Sequence, residues 1–364
     1  MTTYLLAGGG TAGHVNPLLA LADKIREHEP DALILALGTP EGLENRLVPE
    51  RGYELLTVPK LPLPRKPSAY ALKFPFALNG AIKSVQKILR DRKVDVVVGF
   101  GGYASAPAYL AAKRSGVALV VHEANALPGF ANKLGAGFAD AVAVAFSNTK
   151  LVAKRTGGNV VTGMPLRPEI EAILDQPTNP DAAKHFGLDP ELPVLLVTGG
   201  SLGARSINNA VESARTILRA AGIQVLHIVG DKSELPLIDE AGFKRIAYCD
   251  RMDLAIQAAD FAISRAGAST VSEFAAFGLP AVYVPYPVGN GEQVFNVSTL
   301  VEARGGLFVK DSDLNAEWIA NTLVPIVSKR AALQALSNGA LSQGIKDGAE
   351  RLYRLVRGVL AARA

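Results

Sequence analysis

The sequence predicts an α/β protein of two Rossmann-like domains, with parallel sheets facing across a cleft that holds the chemistry. Three observations lead there. The 364 residues exceed the length at which one core usually keeps growing, and suit two domains of roughly 150–180 residues. Short, fully apolar runs alternate with amphipathic helical stretches, as expected of strands buried on both faces of a parallel sheet. The order strand, glycine loop, helix occurs near the N-terminus and starts again at residue 194.

In the first half, strands are expected at 3–6, 32–37, 94–98, 117–121 and 141–145, with helices at about 17–27 and 106–114. Gly8-Gly9-Gly10-Thr11-Ala12-Gly13-His14 joins the first strand to its helix, and Gly99-Phe100-Gly101-Gly102 closes another strand. In the second half, strands are expected at 194–198, 224–229, 244–248, 261–263 and 281–284. Helices are expected at about 207–220 and from Thr270 through Phe277. Between the halves, residues 167–193 carry Pro168, Pro177, Pro180, Pro190 and Pro193 and read as a linker with a short helix. The tail, about 345–364, is helical, with Leu352, Leu355, Val356, Val359 and Leu360 on one stripe.

Composition removes several function classes. The single cysteine, Cys249, forbids an intrachain disulfide and a Cys-rich zinc site. His14, His28, His122, His185 and His227 are not paired at a zinc-protease spacing, so no metal is expected. The start of the chain lacks a basic leader and a long apolar run, and nothing reaches about 18 uncharged apolar residues. The chain is therefore read as cytoplasmic.

The net charge of +4 is unevenly placed. Lys60, Arg65, Lys66, Lys73, Lys83, Lys87, Arg90, Arg92 and Lys93 cluster with one acid, Asp91, among Leu63, Tyr70, Leu72, Phe74 and Phe76. A basic rim around apolar tips suits an anionic bilayer surface. Nucleic acid is the weaker reading, because no recognisable nucleic-acid module accompanies the cluster. A plain solvated helix face stands beside both. Pro59, Pro62, Pro64, Pro67 and Pro75 make the first part of this segment read as loop.

The glycine loops are the candidate sites. Residues 8–13 lie between strand and helix, where backbone N–H groups and a helix N-terminus meet anions. They do not form a Walker A loop, since no Gly-Lys-Ser/Thr closes them. His14 follows, placed to take a proton from an alcohol near neutral pH. Residues 199–203 form a second loop, with Ser201 adding a hydroxyl and Arg205 nearby. Arg265, Gly267, Ala268 and Thr270 open another helix, with Glu273 one turn in, a carboxylate suited to ribose hydroxyls. Gly289-Asn290-Gly291-Glu292-Gln293 is dense in groups that bind polyols. Each also has a plain structural reading: tight turn, packed or capping histidine, helix-end acid, surface turn.

Seven motifs follow one another along the chain: GGGTAGHVNP at 8–17, GFGGYASAPA at 99–108, HEANALPGFANK at 122–133, GMPLR at 163–167, GGSLGARSIN at 199–208, SRAGASTVSE at 264–273 and GNGEQVFN at 289–296. This set resembles the bacterial cell-wall N-acetylglucosaminyltransferases of glycosyltransferase family 28, over essentially the whole chain. The resemblance implies the GT-B fold. It implies inverting transfer of N-acetylglucosamine from UDP-N-acetylglucosamine to the C4 hydroxyl of the muramyl sugar of lipid I, giving lipid II for peptidoglycan. It also implies an acceptor- and membrane-binding domain at 1–163, with the helix at about 345–364 packing back on it, and a UDP-sugar domain at 168–344.

Carried over residue by residue, the resemblance makes His14 the favoured base, with Glu123 orienting it or sharing that role. Gly13, His14, Gly102, Tyr103 and Asn125 would serve the acceptor. Thr11, Ala12, Gly13, Asn125 and Arg167 would approach the donor. Ser201 would meet its diphosphate, the Cys249 backbone its uracil, Glu273 its ribose, and Glu292 and Gln293 its sugar hydroxyls. Arg265, Gly267, Ala268 and Thr270 would line the nucleotide pocket. Many relatives have two adjacent glutamines where this chain has Glu292-Gln293, and an ionised glutamate cannot donate. Implied partners are the anionic inner-membrane surface, on its cytoplasmic face, and cell-wall synthesis and division proteins; no cofactor and no nucleic acid are implied.

With no Asp-x-Asp clamp at a strand end, loop amides, helix ends and Arg265 are left to stabilise the leaving diphosphate. This predicts turnover that survives chelation; loss of activity to a chelator, restored by magnesium, would count against it. The competing readings are another inverting glycosyltransferase with a hydrophobic acceptor, a UDP-sugar 2-epimerase, and a non-catalytic nucleotide-sugar-binding or scaffold protein.

Overall fold

The computed structural model describes residues 1–64, 66–176, 179–200 and 203–363. The chain forms two compact units, Met1–Arg167 with Asp347–Ala364, and Pro168–Lys346. Among the described residues each unit is built on a seven-stranded sheet.

In the first unit the strands are β1 (Thr3–Gly8), β2 (Leu33–Gly38), β3 (Glu54–Thr57), β4 (Val96–Gly101), β5 (Ala118–Glu123), β6 (Ala141–Val144) and β7 (Val160–Val161). Their order is β3-β2-β1-β4-β5-β6-β7 and every pair is parallel. In the second unit they are β8 (Val194–Thr198), β9 (Gln224–Ile228), β10 (Ile238–Glu240), β11 (Phe243–Ile246), β12 (Phe261–Ser264), β13 (Ala281–Tyr283) and β14 (Gly306–Phe308). Their order is β10-β11-β9-β8-β12-β13-β14, parallel except for the β10–β11 hairpin.

The ten strands expected from apolar runs are all present, within one to three residues at their ends. The four that were not expected, β3, β7, β10 and β14, are the four sheet edges. The cause is physical. Central strands such as β1, β4 and β5 are buried at every residue. β3 and β10 have no fully buried residue and no such run to read.

Three helical expectations change. The stretch expected as one helix is two, Arg205–Ser213 and Arg215–Ala220, parted at Ala214. The linker holds two short helices, Pro168–Glu171 and Pro180–His185, each opened by a proline, where the missing N–H has no intrahelical partner to lose. The proline-rich basic segment becomes helix at Ala69 and runs straight through Pro75 to Asp91, with the Ser68 hydroxyl capping Ala71 N–H at 3.2 Å. Its second half is anchored by Ala81, Ile82, Val85 and Leu89, all buried at helical spacing, while its first half projects.

The C-terminal helix Gly348–Ala361 belongs to the first unit. Leu352 and Val356 are fully buried in the core formed by Tyr4, Leu6, Leu18, Leu21, Val96 and Val98. Met164 O lies so close to Gly348 that a side chain there would collide with it.

Candidate active site

In an open parallel sheet, ligands bind beyond the carboxyl ends of the strands, where the order reverses and the loops diverge. Here that happens twice, between β1 and β4 and between β8 and β12. Both points fall on the glycine loops.

At the first, the loops after β1 and β4 touch. Gly102 has φ +84°, and a Cβ there would sit 2.5 Å from Gly9 O. Ser105 Oγ reaches Ala7 O at 3.0 Å and Gly101 O at 2.7 Å, pinning the two strand ends. Thr11 is the N-cap of the 17-residue helix Ala12–His28, and no side-chain hydrogen bond caps it. The first-turn N–H groups of Ala12 and Gly13 therefore lack intrahelical acceptors. Gly10, at φ +90°, has open space where a side chain would go.

His14 lies half-buried in the first turn, its Nδ1 3.2 Å from Gly9 O and 3.3 Å from the Thr11 hydroxyl. A carbonyl oxygen only accepts, so in the neutral ring Nδ1 carries the hydrogen and Nε2 keeps the lone pair. Nε2 faces Gly101, where a Cβ would crowd it at 3.2 Å. Burial pushes the His14 pKa below the ordinary histidine value, opposed by Glu123, the Gly9 carbonyl and Glu44, in that order.

Glu123 ends β5 and is buried. Its Oε1 accepts from Asn125 N–H at 2.9 Å, and its Oε2 from Gly129 N–H and Asn132 Nδ2 at 2.9 Å each. Asn132 in turn accepts from the Tyr109 hydroxyl at 2.7 Å. This carboxylate holds the 123–129 turn and sends its field toward His14; its oxygens are already engaged, which fits orientation better than a shared base role. Asn125 is held in the same turn. Tyr103 is 41% exposed, with Lys60 Nζ 5.3 Å above its ring, so the basic segment adjoins the glycine loops.

At the second switch point, Gly199 and Gly203 are sterically required. A side chain at Gly199 would overlap Ala204 N, and one at Gly203, at φ +74°, would overlap Val229 O. Ser201, the expected diphosphate contact, lies outside the described residues. Across the switch point Gly267 caps the ten-residue helix Ala268–Phe277, with nothing within 4 Å of where a side chain would point. Thr270 is half-buried beside it, and Glu273 is buried on the same helix. Cys249 is buried just beyond the carboxyl end of β11, where Gly230 N–H meets Ala247 O at 2.9 Å. Arg167 closes the N-terminal segment of the first unit, directly before Pro168 opens the second.

Arg265 is already engaged within the protein. Its guanidinium pairs with Asp311 and donates to Ser206 Oγ at 3.0 Å and Val284 O at 3.1 Å. It also lies 5.5 Å over the Tyr286 ring. Its charge is offset by Asp311, and its hydrogen bonds tie the end of β12 to the segment just after β13. Gln293 also has a local duty: its Oε1 accepts from Ala266 N–H at 3.2 Å and Tyr286 N–H at 2.9 Å. Only its NH2 can then address a ligand. Glu292 starts the helix Glu292–Glu302, where the helix N-terminus favours its charge.

Sequence reasoning passed over Glu44, Asn132, Asn296 and Asp311. Asn296 is buried and donates to Ala266 O at 3.2 Å, so it and Gln293 hold one peptide loop from both ends. Asn132 and Asn296 sit inside the quoted motifs. Glu44 and Asp311 sit in none, and only folding brings them to the loops. Among the described residues, no group of three or more His, Cys, Asp or Glu is placed to hold a metal ion.

Comparison with known proteins follows the same division. Residues 4–144 match the glycosyltransferase family 28 N-terminal domain, and residues 194–352 the glycosyltransferase family 28 C-terminal domain. The chain is 54% identical, over all of its length and 98% of the relative's, to the UDP-N-acetylglucosamine--N-acetylmuramyl-(pentapeptide) pyrophosphoryl-undecaprenol N-acetylglucosamine transferase of Clavibacter sepedonicus. The crystal structure of Acinetobacter baumannii MurG superposes with a TM-score of 0.76 at 26% identity, covering 98% of this chain and 100% of that one. A candidate UDP-N-acetylglucosamine 2-epimerase from Listeria monocytogenes, at 12% identity and TM-score 0.67 over 98% of this chain and 96% of its own, shares the fold alone.

Proposed function

The chain belongs to glycosyltransferase family 28, with the GT-B fold, and transfers N-acetylglucosamine from UDP-N-acetylglucosamine to lipid I to form lipid II; on that premise we propose how its residues divide the reaction. The acceptor is held by the first unit and the donor by the second. His14 Nε2 takes the proton from the muramyl C4 hydroxyl as that oxygen attacks the anomeric carbon from the face opposite UDP. One displacement inverts the configuration without a glycosyl-enzyme. The single observation that carries the assignment is the 3.2 Å contact of His14 Nδ1 with Gly9 O: a carbonyl only accepts, so Nδ1 takes the hydrogen and Nε2, beside Gly101, keeps the lone pair.

Glu123 holds the 123–129 turn and, through its charge, favours the imidazolium once formed. Gly13, Gly102, Tyr103 and Asn125 border the acceptor. On the donor side the amides of residues 199–203, with Ser201, and the helix start at Gly267, Ala268 and Thr270 meet the diphosphate. Glu273 takes the ribose and the Cys249 backbone the uracil. The Gln293 amide and Glu292 take the sugar hydroxyls, Glu292 only as acceptor. Arg265 supports this loop through Asp311 and Ser206. Transfer of labelled sugar from UDP-N-acetylglucosamine to a lipid I analogue tests the reading, with other UDP-sugars and acceptors as controls. Faster transfer to a non-muramyl acceptor, or UDP binding without transfer, would overturn it.

The acceptor is lipid-borne, and no helix among the described residues is long and apolar enough to cross a membrane. The projecting half of helix Ala69–Asp91 suits peripheral attachment to the cytoplasmic face. Leu72 and Phe76 are 78% and 81% exposed, with Lys66 and Lys73 exposed beside them. An apolar tip within a basic rim combines insertion with attraction to anionic headgroups, about 1 kcal/mol per basic residue near the surface. Binding to vesicles rich in anionic lipid should fall with added salt, and Leu72→Ala with Phe76→Ala should weaken it at every salt concentration. Binding that ignores both would remove this surface from consideration.

A further inference from the structure

We propose that Glu44 is a positioning residue of the transfer reaction, clamping the Gly9–Gly10 peptide that in turn orients His14. Glu44 lies 34 residues from the glycine loop in sequence, at the start of the short helix Glu44–Glu50, and is 1% exposed. Its Oε2 accepts from Gly10 N–H at 2.7 Å. Its Oε1 accepts from Thr39 N–H at 2.8 Å and from the Thr39 hydroxyl at 3.0 Å. All three partners are donors, as an acceptor-only carboxylate requires. Gly9, Gly38 and Gly42 line the cage, and a side chain on any of them would overlap the carboxylate.

The Gly9–Gly10 peptide is held at both ends. Its N–H points to Glu44, and its C=O takes His14 Nδ1 at 3.2 Å. A carboxylate, a peptide and an imidazole therefore form one hydrogen-bonded line. A negative charge at the N–H end polarises the peptide and makes its oxygen a better acceptor. A better acceptor at Nδ1 holds the productive tautomer and favours protonation at Nε2. The titratable groups that face His14 are Glu123, from the end of β5, and Glu44; both oppose the effect of burial on the ring. Glu123 acts through space, Glu44 also through the peptide that sets the ring's angle.

The proposal rests on His14 being the base, and the experiment separates the two. Full-length wild type, Glu44→Gln and Thr39→Val are compared by the pH profile of kcat and by long-range proton–nitrogen NMR of the His14 ring. Glu44→Gln should move the acidic limb of kcat and the His14 titration together to lower pH, and lower kcat by several-fold to roughly tenfold, less than loss of the base itself. KM for the donor should hold. Thr39→Val disturbs the cage but keeps the charge, and should leave both midpoints in place. Unmoved midpoints in Glu44→Gln, or equal movement in Thr39→Val, would overturn the proposal. If Glu44→Gln does not fold, the wild-type spectrum decides: hydrogen on Nδ1 supports the clamp, hydrogen on Nε2 refutes it. If His14→Ala keeps full turnover, the base assignment falls, while the NMR titration still reports on Glu44.

Discussion

Replacing His14 by Ala is expected to lower kcat by about 10²–10⁴-fold, the usual contribution of a positioned general base, while UDP binding is unchanged. The split is the informative part. His14 sits at the switch point of the first unit, in a loop that shares no element with the 199–203 and 265–270 loops of the second. Removing its imidazole takes a proton acceptor from the transition state without touching the donor contacts. The pH profile follows with a definite sign. The base works when deprotonated, so activity is lost as pH falls through the His14 pKa. Burial lowers that pKa, and the positive end of helix Ala12–His28 acts in the same direction. The midpoint of the acidic limb should thus lie below that of an ordinary histidine. Measuring kcat against pH at saturating donor and acceptor checks this; an acidic limb at or above the value of a free histidine would contradict the placement of the ring.

Replacing Gly203 by Ala should have the opposite signature. The residue is at φ +74°, where an L side chain is strained, and the new Cβ would overlap the backbone carbonyl of Val229, which cannot swing aside as a side chain would. A cost of about 2–4 kcal/mol in stability is expected from strain and overpacking together. Relief by shifting the 199–203 loop would displace the amides meant for the diphosphate. UDP affinity should fall by roughly tenfold or more, about 1.4 kcal/mol per factor of ten. Calorimetric titration of UDP with a melting curve on the same sample reads both. Normal UDP affinity in a folded Gly203→Ala protein would show that this loop does not form the diphosphate site.

The two substituted residues are also the ones most legible from their neighbours in the chain. His14 and Gly203 both belong to glycine-rich segments that follow an apolar run, where strand gives way to helix, and local sequence suffices to place them beyond strand ends. Arg265 is equally visible, but its role is not. A lone arginine near a phosphate loop reads as a free cation until Asp311, 46 residues on, is found paired with it. Glu44 is harder still. Its only local sign is an acid following Gly38 and Gly42, and the third member of its cage, Gly9, comes from a different strand end.

Edge strands follow the same logic. β1, β4, β5, β8 and β12 are buried along their whole length and write that burial into short runs rich in Val, Leu, Ile and Ala. β3 and β10 face solvent in part and depend on pairing with a neighbour that the local sequence does not name. Pro75 misleads for a related reason: a proline interrupts an isolated helix, but here the buried stripe Ala81, Ile82, Val85 and Leu89 anchors the helix further along.

The sequence by itself determined the two-domain α/β plan, the central strands, the two glycine-loop openings and, through ordered motifs, the family and its reaction. Those features are local, carried by burial periodicity and by glycines that only certain backbone angles require. The tertiary structure alone decided which nitrogen of His14 is free, that Glu123 is fully hydrogen-bonded, that Arg265 is paired, and that Glu44 supports the loop beneath His14. Each of these depends on partners brought together across strands, and hydrogen-bond direction and charge compensation exist only once the chain has folded.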